Sequence, residues 1–317
     1  MTTIGLLGSS GFVGSAIVAH ARKLGIRVRT APAPRLKSYA RDLERLHSEL
    51  AGFRATTMET MASLRGVDVL INAAGYAQPS RAWSAEMLGA NAALPAVLSF
   101  YAEDIGYRRI VHVSSAAVFG TSLILDESRK PSPITPYGQS KDLGDRALTT
   151  FAPNALLPVV YWPTSVHGKS RRLTQSLARF ARSPLSSVAG DGGTPTPQAL
   201  VANVAAAAVF LACAESPPPR GVLHPWEGLT TGTLLAGLGQ GRRPRTIPGP
   251  VARSALKSVY AAGRVSPRTF ANARRLEMLW FGQEQERGWL EEAGFAKPTQ
   301  WQQFFRDLGS GAADTDA

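Results

Sequence analysis

Cysteine is nearly absent from this chain. A single residue, Cys213, occurs in 317, which excludes an intrachain disulfide and a cysteine-built metal cluster. It lies in an apolar helical run and reads as a core residue. The five histidines, His20, His47, His112, His167 and His224, show no metal-ligand spacing, so no metal is expected. Long hydrophobic runs are missing too. The uncharged stretch Ala199 to Ala214 is 16 residues long and broken by Asn203, short of the roughly 20 that a membrane span needs. No charged side chain precedes Arg22. That opening lacks a basic leader, however, and Gly8, Gly11 and Gly14 interrupt its apolar run, so it does not read as a signal peptide. A soluble, cytoplasmic protein is expected.

Acids are scarce where bases gather. Lys plus Arg number 35 against 23 for Asp plus Glu, a net charge of +12. Between Gly228 and Leu276 there is no acid, while Arg242, Arg243, Arg245, Arg253, Lys257, Arg264, Arg268, Arg274 and Arg275 lie there. A second basic region, Arg22 to Arg41, precedes the first acid, Asp42. Such fields attract anions, or are simply solvated faces. No zinc-finger spacing, homeodomain pattern or RNP aromatic motif accompanies them, which argues against nucleic acid. Val251 to Ala262 patterns as a basic amphipathic helix. It either contacts a membrane surface or packs its apolar side on the rest of the chain.

What is present is a core and an α/β rhythm. Hydrophobic residues make up 44% and charged residues 18%, enough apolar side chain for a sizeable interior. Short β-rich runs at Ile4–Leu7, Ile26–Thr30, Val67–Ile71, Ile110–Val113 and Leu157–Tyr161 alternate with helical stretches, the first from Phe12 to Leu24. This predicts a Rossmann-like, doubly wound parallel sheet with a smaller C-terminal substrate-binding lobe. Residues 1–168 would form the dinucleotide-binding domain, with helix 202–214 returning to it. Residues 169–308 would form the lobe, and 309–317 a disordered tail.

Gly8-Ser-Ser-Gly11-Phe-Val-Gly14 joins the first run to its helix. Glycines there permit a tight bend, let backbone approach a pyrophosphate, and let helix and strand pack closely; the phosphates then meet unpaired N–H groups at the helix start. Gly8, Ser10, Gly11, Phe12, Val13 and Gly14 are therefore candidate cofactor contacts, though such a turn can also be purely structural. A carboxylate about 20 residues on normally accepts the ribose 2′-OH of NAD, whereas an Arg accommodates the 2′-phosphate of NADP. No acid occurs before Asp42, while Arg29, Arg35 and Lys37 do. NADP(H) is favoured, with NAD(H) the alternative and Arg29 and Arg35 as candidate phosphate partners.

Tyr137-Gly-Gln-Ser-Lys141 carries the chemistry. Residues i and i+4 share a helix face, so Lys141 can sit near the phenol. A neighbouring cation favours the phenolate, and Tyr137 can then exchange protons near neutrality. Upstream, the run Ile110–Val113 ends in Ser114-Ser115-Ala-Ala-Val-Phe-Gly120. A hydroxyl there can bond a substrate oxygen opposite the tyrosine, or the two serines are strand-end turn residues.

GxxGxxG, Asn72-Ala-Ala-Gly75, Asn91 in a helix, SSAAVFG and YGQSK, in this order, resemble the extended short-chain dehydrogenase/reductase family over about residues 1–215. The resemblance implies Ser115 as the catalytic hydroxyl, Tyr137 as acid/base, and Lys141 as the residue that binds ribose and tunes the tyrosine. It implies Asn91 as support for a proton relay, and Ala73, Ala74 and Gly75 as the loop passing the cofactor. Ser114, Pro163 and Val166 complete the expected cofactor contacts. Trp162-Pro-Thr-Ser-Val-His-Gly168-Lys169 departs from the family's Arg-Pro-x-Asn-x-Tyr-Gly-Pro, which unsettles carried-over substrate contacts. Lys169, Arg171 and Arg172 either bind a diphosphate or open an exposed helix.

The implied reaction is hydride transfer on a keto or hydroxy sugar of a nucleotide-diphosphate sugar, by a reductase or dehydrogenase. An NAD-dependent epimerase is the alternative, and a catalytically silent NADP-binding scaffold the alternative of another class. Dehydration is disfavoured, because Ala116 and Ala117 stand where resembling dehydratases carry Asp-Glu. A homodimer is common among proteins of this appearance.

Overall fold

The apolar run at the N-terminus forms β1 (Thr3–Leu7), buried from Ile4 onward, as a strand covered on both faces requires. The chain turns at Gly8 into α1 (Phe12–Lys23), bends at Gly25 and returns as β2 (Arg27–Ala31). An extended stretch leads to α2 (Leu43–Met61), whose start is capped by Asp42 accepting from the Arg45 N–H at 2.8 Å. Then follow β3 (Val69–Asn72), the short helices α3 (Ala85–Leu88), α4 (Leu94–Phe100) and α5 (Ala102–Ile105), and β4 (Arg109–Val113). A π-helical turn, Gly89–Ala93, joins α3 to α4. After β5 (Ile124–Leu125) come α6 (Pro136–Thr150), β6 (Leu157–Trp162), β7 (Ser165–His167), α7 (Arg172–Arg182), β8 (Ser187–Ala189) and β9 (Gln198–Leu200). The remainder holds α8 (Val201–Cys213), β10 (Gly221–Leu223), α9 (Thr231–Leu238), β11 (Arg245–Ile247), α10 (Gly249–Gly263) and β12 (Glu284–Gln285). Helices Trp289–Glu292 and Trp301–Gly309 close it. This computed structural model describes residues 3–76, 82–128, 130–263 and 276–310.

Six strands form one wholly parallel sheet in the order β10-β6-β4-β3-β1-β2. The winding direction reverses between β1 and β3, so the crevice beyond their carboxyl ends is where a ligand is expected. Successive strand residues face opposite layers. Leu6, Ile71, Val111, Val159 and Tyr161 pack under α1 and α8. Leu7, Leu70, Ile110, Val160 and Trp162 pack on the side of α2, α4 and α6. The doubly wound α/β architecture expected from the sequence is thus the one observed.

The Pro/Gly-rich part is more ordered than its composition suggests. It contributes the parallel pairs β7–β9 and β8–β11. A third apolar cluster includes Ala181, Leu234, Leu235, Leu238, Trp301 and Phe304. The basic helix foreseen at Val251 to Ala262 exists as α10, with Ala252 and Leu256 buried and Ala252 packed with Trp280. Arg264, Arg268, Arg274 and Arg275 lie outside the described residues. The tail expectation needs correcting at its start, because Gly309 ends a helix instead of opening a disordered segment; residues 311–317 lie outside the described residues. Among the described residues, no helix is long and apolar enough to cross a membrane.

Candidate active site

At the switch point the backbone is bare by necessity. Gly8 has φ +80°, and a Cβ on it would lie 2.7 Å from the Ala74 nitrogen and 2.8 Å from the Ala73 carbonyl carbon. A Cβ on Gly14 would collide with the Gly8 carbonyl oxygen. Gly11 occupies the N-cap of α1, which has no side-chain cap and no acid in its first turn. The amides of this end therefore remain open to an anion, with the helix dipole behind them. Ser10 and Gly11 are exposed here, and Phe12 and Val13 half-buried. Across the crevice lie Ala73, Ala74 and Gly75, where a Cβ on Gly75 would meet Lys141 Nζ at 2.9 Å and Asn91 Oδ1 at 3.2 Å.

Helix α6 presents Tyr137 and Lys141 on one face. Pro136 starts it, and Thr135 caps it by accepting from the Gly138 N–H at 3.1 Å. Ser115 follows β4. Its hydroxyl oxygen accepts from the Ala117 N–H at 3.2 Å, leaving its proton free for the phenol of Tyr137. The half-buried Tyr137 has its pKa raised, chiefly by burial; the Ser115 hydrogen bond and the Arg171 guanidinium pull it back. This corrects the expectation that Lys141 depresses the phenol: the cation that acts on it is Arg171. That guanidinium lies 4.9 Å over the Phe12 ring and is linked electrostatically to Tyr137.

Lys141 is buried and donates to the Val113 carbonyl at 3.2 Å. Burial lowers its pKa to about 8, against the opposing pull of Asp145. Asp145, one turn further along α6, is buried with Oδ2 accepting from Ser114 Oγ at 2.8 Å and Trp162 Nε1 at 2.9 Å. Burial raises it to about 7, the two donors and Lys141 lower it, and Asp142 raises it further. His112 Nε2 faces Asp145 Oδ1 at 3.8 Å, and neither atom has a hydrogen-bond partner. On its other side His112 Nδ1 lies 3.1 Å from Asn72 Nδ2, and Asn72 Oδ1 accepts from the Ala74 N–H at 3.1 Å. Nδ1 is therefore the acceptor, and Nε2 carries the proton of the neutral ring. Burial, then Lys141, holds His112 well below the ordinary histidine range.

The structure gathers Gly8, Gly11, Gly14, Ala73, Ala74, Gly75, Ser115, Tyr137 and Lys141 around the crevice. It does not bring Arg29 there. That guanidinium donates to the carbonyls of Ser63 and Arg65, the latter at 2.9 Å, at the opposite end of β3. Arg35 is exposed just beyond the carboxyl end of β2. Ser114 is spent on Asp145, so the strand-end alternative describes its hydroxyl better than a cofactor contact does. Pro163 accepts from the Ala116 N–H at 2.8 Å, and the Val166 side chain is in the core. Asn91, fully buried in the π-helical turn, accepts from the Tyr76 N–H at 2.8 Å and donates to Ser140 Oγ at 3.0 Å. Its amide thus ties the cofactor loop to α6. Sequence reasoning missed Asp145, although Tyr137, Lys141 and Asp145 continue one i, i+4 series.

Residues 4–220 match the model of the NAD dependent epimerase/dehydratase family. A curated relative, the dTDP-4-dehydrorhamnose reductase of Salmonella typhimurium (strain LT2), is 32% identical over 179 residues. The match covers 55% of this chain and 58% of that relative, so the chain spans little more than half its length. A human epimerase family protein solved with NADPH superposes with a TM-score of 0.66 at 17% identity, covering 98% of this chain and 100% of that one. The UDP-glucose 4-epimerase of Thermus thermophilus, solved with NAD, gives 0.62 at 16% identity with the same coverage. At these identities the structural likeness speaks for the fold.

Proposed function

The chain belongs to the NAD-dependent epimerase/dehydratase family, and on that premise we propose that it is an NADP(H)-dependent reductase or dehydrogenase of a nucleotide-diphosphate sugar, with Tyr137 as its acid/base. The observation that carries this reading is the phenol of Tyr137, hydrogen-bonded by Ser115 and facing the Arg171 cation beside the glycine turn. A cofactor fits the site, since the Gly8–Ala74 contact leaves no room for a Cβ and the α1 amides are uncapped. When bound, the nicotinamide supplies or accepts the hydride.

The protein groups handle the proton and the charge. In the reducing direction Tyr137 gives its proton to the carbonyl oxygen as that oxygen gains charge, and the Ser115 hydroxyl donates to the same oxygen. In the oxidising direction the phenolate removes the alcohol proton. Lys141, at the edge of Gly75, would hold the nicotinamide ribose. Ala116 and Ala117 offer methyl groups only, which supports a reaction without dehydration.

An anionic substrate is supported by the name of the 32%-identical relative and by Arg171, whose electrostatic partner is the phenol instead of a carboxylate. One observation favours a second reading, an epimerase that retains NAD: Arg29 is withdrawn from the ribose end, which leaves Arg35 as the nearby cation expected for a 2′-phosphate. Nucleotide released on denaturation separates the two. Exchangeable NADPH supports the reductase, and tightly retained NAD supports the epimerase. Tyr137→Phe should lower turnover by about 10²–10⁴-fold while leaving cofactor affinity intact. Full activity in that variant would overturn the mechanism.

A further inference from the structure

A series of buried polar groups lies behind the site. It runs from the cofactor loop through Ala74 N–H, Asn72, His112 and Asp145 to Lys141, which returns to the edge of the same loop at Gly75. Four elements contribute: β3, β4, β6 and α6. Asp145 is the junction, because two neutral donors, the Ser114 hydroxyl and the Trp162 indole N–H, converge on its Oδ2, while the His112 Nε2–H faces its Oδ1 at 3.8 Å, beyond hydrogen-bond reach. Both donors favour a carboxylate over a carboxylic acid. The charged or titratable groups facing it are Lys141, Asp142 and Tyr137 on α6 and His112 on β4. Of these, Lys141 is the cation, since His112 is held neutral. A buried carboxylate is costly unless it is both hydrogen-bonded and paired with a charge.

We propose that Asp145 is a positioning residue, an anion held by Ser114 and Trp162 that keeps Lys141 in its ammonium form against the cofactor loop. The proposal rests on the reading of Lys141 as a cofactor-binding residue, although its own test does not need turnover. Burial drives Lys141 toward neutrality, with a pKa of about 8, and Asp145 is what opposes that drive. Removing the negative charge moves the ammonium's loss to lower pH. Cofactor affinity then falls within the neutral range instead of above it.

The test reads Lys141 directly. Protein labelled with ¹³C at lysine Cε contains seven lysines, and the Lys141 resonance is assigned by its loss in Lys141→Arg. Its pH titration is followed in the whole protein, with NADPH affinity measured alongside by fluorescence. In Asp145→Asn the midpoint should fall by about one pH unit, a tenfold change in the charged fraction. NADPH affinity should be unchanged at low pH and about tenfold weaker above the wild-type midpoint. Trp162→Phe keeps the edge-to-face packing on Phe119, at 5.1 Å between ring centroids, while removing one donor. It should shift the midpoint the same way by less, and it decides the matter if Asp145→Asn does not fold. An unmoved Lys141 midpoint in the folded variants overturns the proposal. Should Tyr137→Phe remain active, the reaction assigned above fails while this titration still stands or falls by itself.

Discussion

Acid should weaken this protein through His167 by a calculable amount. The ring is 1% exposed, at the end of β7, and lies 5.5 Å edge-on from Trp301. Its Nε2 is 2.8 Å from Gln198 Oε1 and its Nδ1 is 3.1 Å from Thr174 Oγ1. Gln198 Nε2 donates to Thr196 Oγ1 at 2.9 Å, which fixes the amide so that Oε1 accepts from His167. The neutral ring is thus satisfied at both nitrogens, and burial lowers its pKa from 6.5 to about 4, with Arg171 adding to the drop. The unfolded chain binds a proton near pH 6.5 that the folded chain refuses until about pH 4. Stability is therefore fully present above 6.5 and falls as pH drops toward 4, by roughly 3 kcal/mol at about 1.4 kcal/mol per pH unit. His167→Gln can still accept from Thr174 and donate to Gln198, but it does not titrate. Urea unfolding of both proteins at pH 7 and near pH 4 isolates this group, because His112 and Asp145 contribute equally to each curve. Wild type should lose roughly 3 kcal/mol more than the variant on acidification. A constant difference between the two would refute the reasoning.

Other perturbations probe the crevice. Arg171→Gln removes the cation that lowers the Tyr137 phenol, so the pH–rate limb for alcohol oxidation should move to higher pH. An unmoved limb would return the tuning role to Lys141. Arg35→Ala should reduce the preference for NADPH over NADH, by about tenfold for one lost charge-assisted contact of roughly 1.5 kcal/mol. Arg29→Ala should leave that preference unchanged and lower stability by about 1–2 kcal/mol through its lost carbonyl contacts; titrating both variants with the two cofactors checks the pair. Gly14→Ala places a methyl group on the Gly8 carbonyl oxygen. The turn must then shift, and nucleotide binding measured by calorimetry should be lost before the fold is.

Much of this site is local, and local features are legible. A Gly-rich turn after an apolar run, a phenol and an amine four residues apart, and two serines at a strand end are set by chain periodicity alone. The observed β1, β4 and β6 begin or end within one residue of where their apolar runs predict, because strands buried on both faces read as continuous hydrophobic stretches. The short strands β7, β8, β9 and β11 were not legible. Each has three residues and exists because a distant segment pairs with it.

The α/β class, the glycine turn and the Tyr137–Lys141 face can be read along the chain, since each depends on residues within a few positions of one another. Which charges act is set by the folding of distant segments onto one another. Arg29 and Arg35 look alike along the chain, yet pairing beside β1 directs one to the Ser63 and Arg65 carbonyls and leaves the other exposed past the strand end. Arg171 reaches the phenol from 34 positions away. Asp145 gains Ser114 and Trp162, 31 and 17 residues distant, through the register of β4 with β6 against α6. Electrostatic influence follows distance in space and loss of water, and chain spacing encodes neither beyond one helical turn.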